Sequence, residues 1–141
     1  MISHQLEVPD VEQAHAEIQV FERLVAEVGR PAAVLMIPDR LLPPATAAVR
    51  EVYRLSAERT PIAVWTAVVG GVMGFAASIA TSLAAQVFAR KTVPMRVFRT
   101  IPTAIAWMAE ATDLGATPAE VIAAAERLRS SATASDVRQV G

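Results

Sequence analysis

Few residues in this chain carry side chains that could do covalent chemistry, and their spacing decides what that chemistry could be. Gly70, Gly71 and Gly74 form a G-G-x-x-G between a strand-like and a helix-like stretch, where backbone N–H groups can cradle a phosphate. The order is not G-x-G-x-x-G, no carboxylate follows before Glu110, and no Lys-Ser/Thr pair completes a phosphate loop. The glycines therefore read as a tight turn with close helix–sheet contact. Arg90, Lys91, Arg96 and Arg99 form a basic cluster, and no acid lies between Glu58 and Glu110. That cluster suits an anion or partner surface; the structural alternative is helix-end complementarity, protection of an edge strand and pairing with an acidic first helix. His4 and His15 are the only histidines, and His15 with Glu12 is a single i,i+3 pair, too few ligands for a metal. Ser78, Thr81 and Ser82 have no base or acid partner in the sequence, and there is no cysteine. No catalytic, metal-binding or cofactor-binding residue is assigned, and the chain reads as a non-enzyme.

The elements that must position these residues follow from periodicity. Ile2 to Val8 alternates loosely, as in a short strand. Asp10 caps a helix with Gln13 in the capping-box position; Val11, Ala14, Ile18, Phe21, Val25 and Val28 make its apolar stripe, Glu12, Glu17, Glu22 and Glu27 its polar face, and Gly29-Arg30-Pro31 its stop. Ala32 to Ile37 is a buried strand. Pro43-Pro44 opens a helix with Ala48, Val49, Val52 and Leu55 inward and Arg50, Glu51, Arg54 and Glu58 outward, ending before Pro61. Ile62 to Val69 is β-branched and apolar on both faces, as a central strand requires, and the glycine turn leads into a helix that closes at Arg90-Lys91. Val93 to Phe98 is a strand whose Pro94 and Arg96 place it at an edge. A helix from Pro102 buries Ala104, Ile105 and Met108 and stops at Gly115; Thr117-Pro118-Ala119-Glu120 then launches a last helix through Arg129. The expected fold is α/β, a small, mostly parallel sheet with a βαβαβα core flanked by helices, in one domain over residues 1–129 with a flexible tail over 130–141.

Composition narrows the function classes. The 141 residues are 53% hydrophobic and 19% charged with a net charge of −1, which argues against a disordered tail protein and against a nucleic-acid partner. The run from Pro61 to Ala89 holds no charge and exceeds the ~20 residues that cross a bilayer. Gly70-Gly71 interrupts it where the pattern changes from strand to helix, and Trp65 lies inside it rather than at a boundary, so a soluble core is expected and not a membrane span. The amino terminus has no basic or apolar leader segment, and a cytoplasmic location is expected.

The run V-P-M-R-V-F-R-T-I-P-T-A-I-A-W-M-A-E-A, a strand ending in R-V-F followed by a helix with A-x-A-W-M, resembles the close of STAS-like domains, the anti-sigma-factor-antagonist-like or STAS/SEC14 group. The resemblance extends over about Ala32 to Ala111. It implies a regulatory, non-catalytic protein-interaction module, some of whose relatives are suspected of binding small or apolar ligands. Phospho-regulated members carry a D-S-x-G type motif at the turn after the long strand; here that turn is V-V-G-G-V-M-G-F, so no phosphorylation site carries over. The expected interaction surface is Gly70, Gly71, Gly74 and Phe75 with the Arg96 edge. A small-ligand module with a pocket between the sheet and the first helix is the alternative, and a homodimer is an open one.

Overall fold

The computed structural model describes residues 1–5, 7–38, 43, 45–69 and 93–139. Four strands, β1 (Ile2–Gln5), β2 (Ala32–Pro38), β3 (Ile62–Val68) and β4 (Met95–Phe98), lie in that order in one sheet, every neighbouring pair parallel. Helices α1 (Val11–Val28), α2 (Ala47–Arg59), α3 (Ile101–Ala111) and α4 (Pro118–Gln139) flank it. The α/β class and parallel sheet match the expectation from sequence. β1 and β4 are the two edges, as Pro94 and Arg96 imply for β4.

Side-chain alternation along the strands divides the core into two faces. Leu35 and Ile37 of β2 and Val64 and Val68 of β3 meet Ile101, Ala104, Ile105 and Met108 of α3 and Ala125 of α4. On the other face Met36, Trp65, Ala67 and Val69 pack with Ala57 of α2. β3 is thus covered on both sides, which is why its sequence is apolar without alternation. Ile62–Val68, the opening of the uncharged run, is this interior strand, and no described helix is long and apolar enough to cross a membrane. The expected helix beyond Val72 lies outside the described residues.

The caps follow the sequence closely. Asp10 and Gln13 form a reciprocal capping box, Gly29 closes α1 with φ of 70°, and Thr117 and Glu120 exchange hydrogen bonds at the start of α4. α2 departs from expectation at its start, where Thr46 rather than the Pro43-Pro44 pair supplies the cap by accepting from Val49 N–H. Of its expected inward face, Val49 is buried and Val52 partly buried, whereas Ala48 and Leu55 are exposed and Ser56 and Ala57 are buried in addition. Ser56 donates to Glu22 of α1 at 3.2 Å, so a polar residue is satisfied where an apolar one was expected. α4 runs to Gln139, beyond the expected stop at Arg129; Ser130 and Ser131 hydrogen-bond back to the carbonyls of Glu126 and Leu128. β1 is shorter than expected, ending at Gln5.

Candidate interaction surface

Arg96 is the one expected site residue among those described; Gly70, Gly71, Gly74 and Phe75, with Arg90 and Lys91, lie outside them. Its position follows from the strand. Met95 and Val97 pack into the α2-side cluster, so the residues alternating with them, Arg96 and Phe98, turn to the α3 side. On that side of the edge strand Arg96 is exposed.

There the guanidinium stacks over the Trp107 ring of α3, 5.5 Å from its centroid, and the same ring meets Phe98 at 5.7 Å in a tilted contact. A cation over an indole face at an exposed site contributes roughly 0.5–1 kcal/mol, enough to hold the side chain without sequestering its charge. The strand beneath is fixed by Thr66, fully buried on β3, whose hydroxyl donates to the Arg96 carbonyl at 2.8 Å. Trp65 N–H donates to the Pro94 carbonyl and Val69 N–H to the Phe98 carbonyl. Even-numbered residues of β4 therefore face β3, and the N–H and C=O groups of Met95 and Val97 point away from the sheet. Gly70 follows directly on Val69, which is bonded to the carboxyl end of β4.

Next to this edge α3 begins with Thr100 as its cap, accepting from Thr103 N–H, and with Arg99 exposed. Trp107, which was not among the expected site residues, carries Arg96. The signal for Phe98 was its two-residue spacing from Arg96; Trp107 depends on how α3 docks on β4, which no local pattern encodes.

A second polar cluster joins α1, α2 and β1. Glu17 accepts from Ser3 at 3.1 Å and from Tyr53 at 2.5 Å, while Glu22 accepts from Ser56 and from Arg59 at 3.0 Å. Glu17 and Glu22 were expected on a solvent-facing side; the structure instead makes them the bonds between helices. Burial, then the hydrogen bond and charge of Glu17, push the Tyr53 hydroxyl well above the usual phenol range, so it holds its proton as a structural donor. On the inner side of α1, where a ligand space was expected, Ala14, Ile18 and Phe21 are buried, and Ala14 packs with Ala45 and Val49. Among the described residues no group of three His, Cys, Asp or Glu side chains could hold a metal. No protein-family model, curated protein or solved structure matches the chain.

Proposed function

We propose that the chain is a non-catalytic regulatory module that binds another protein along the β4 edge, in keeping with its resemblance to STAS-like domains. The observation that carries this reading is Arg96, displayed on an edge strand and held over Trp107 with its charge exposed. The outward backbone groups of Met95 and Val97 suit addition of an extended segment as a further strand, and Arg96 with Arg99 favours a segment bearing carboxylates. Gly70, Gly71, Gly74 and Phe75, which follow Val69 in the sequence, belong to the same proposed surface. No residue from Arg59 to Ala109 is acidic, so the basic residues around this edge have no internal partner from that stretch.

Affinity capture from the native host extract tests the reading. Arg96→Glu should abolish retention of a specific protein, while Arg127→Glu, the same charge change on the exposed side of α4, should leave it bound. Equal retention by both variants and the wild type contradicts the proposal.

A further inference from the structure

The second edge of the sheet carries a different kind of surface. On α1, Val20, Leu24 and Val28 recur at four-residue steps and are 45%, 42% and 59% exposed. They share the side of the helix with Glu17, which is hydrogen-bonded to both Ser3 of β1 and Tyr53 of α2, so the stripe runs beside that junction. The opposite flank holds Glu22, which reaches Ser56 and Arg59 of α2. β1 itself is an edge, and on its other face α4 exposes Leu128. Arg23 and Glu27 border the stripe, one turn apart, and neither is ion-paired among the described residues. Arginine placed four residues before glutamate is the weaker intrahelical order, so each charge is available to a partner.

We propose that this flank of α1 is a self-association surface whose occupant is a second copy of the chain. A two-fold axis beside Leu24 runs two α1 helices antiparallel, with Leu24 against its own copy and Val20 against the partner's Val28. The same operation puts Arg23 and the partner's Glu27 on one flank of the contact, about 3 Å apart along the helix axis, an offset their long side chains can span. Apolar stripe and charges are then satisfied together by one isologous contact, and the contact closes at two subunits. A second copy is favoured because the patch is complementary to itself: both signs of charge sit on one helix beside the apolar stripe, within reach of their counterparts on an antiparallel copy.

Sedimentation equilibrium on the full chain tests the proposal. The wild type should be a dimer. Leu24→Glu should be a monomer with unchanged circular dichroism, since the side chain is already exposed. Arg23→Glu should weaken dimerisation by about tenfold or more, and the double variant Arg23→Glu/Glu27→Arg should restore it. Arg96→Glu should leave the dimer intact, which separates this surface from the β4 edge. A monomeric wild type, a dimer indifferent to Leu24→Glu, or a double variant as weak as Arg23→Glu alone overturns it.

Discussion

Glu17 is where α1, α2 and β1 meet, and its behaviour depends on one phenol. Tyr53 is half-buried and donates to the carboxylate at 2.5 Å, with Ser3 donating to the other oxygen. Burial, then the hydrogen bond to Glu17 and the second negative charge that ionisation would place beside it, hold the Tyr53 pKa above the ordinary value. A raised pKa means that the stabilisation is complete below the ordinary phenol range, ~10, and is lost as pH climbs through the raised value. Tyr53 is the only tyrosine, so phenolate absorbance reports on it alone. In the folded protein no ionisation should appear near pH ~10, and phenolate should form only as helical signal is lost. Titration of a free-phenol kind with the fold intact contradicts this. Tyr53→Phe should cost about 1–2 kcal/mol in denaturant unfolding, because Glu17 keeps its desolvation and loses a donor.

Between elements, one link outside the core is a clasp at the amino end of the sheet. Arg30, in the turn from α1 to β2, donates to Asp113 at 3.1 Å and to the Leu114 carbonyl at 3.1 Å, tying that turn to the loop between α3 and α4. Gly115 has φ of 67° and lies so close that a Cβ there would overlap the Arg30 guanidinium. Gly115→Ala is therefore penalised by its backbone and by eviction of Arg30, and should lower stability by about 2 kcal/mol, while Arg30→Ala/Gly115→Ala should cost less than the two single changes added together. Additive losses in thermal or denaturant unfolding would show that the two residues act separately. The same scale shows what sequence reading could reach. Asp10-Gln13, Thr117-Glu120 and the β-branched run of β3 declare themselves locally, because caps and doubly covered strands have short-range signatures. The inward face of α2 does not: Ser56 and Tyr53 are polar, and only the glutamates of α1 make their burial tolerable. Arg96 was legible as an edge residue from Pro94 and its apolar neighbours, whereas its seat on Trp107 requires the docking of α3 against β4.

At the scale of the whole molecule, the order β1-β2-β3-β4 makes β1 and β4 the edges of the sheet among the described residues, and the two differ in character. β4 presents Arg96 on an aromatic ring and is basic; beside the junction of β1 with α1 and α2 run the apolar stripe of α1 and a balanced pair of charges. Both faces of the sheet are covered by helices, so an edge strand is where its own backbone can meet a partner, as the proposed reading of β4 requires. The functional account stands on β4 being open. Backbone hydrogen exchange followed residue by residue by NMR tests that directly. The amides of Arg96 and Phe98, turned toward β3, should exchange slowly, and those of Met95 and Val97 rapidly, with the amides of β3 slow throughout. Equal protection of all four β4 amides in the isolated protein would show the edge already occupied and would contradict the account.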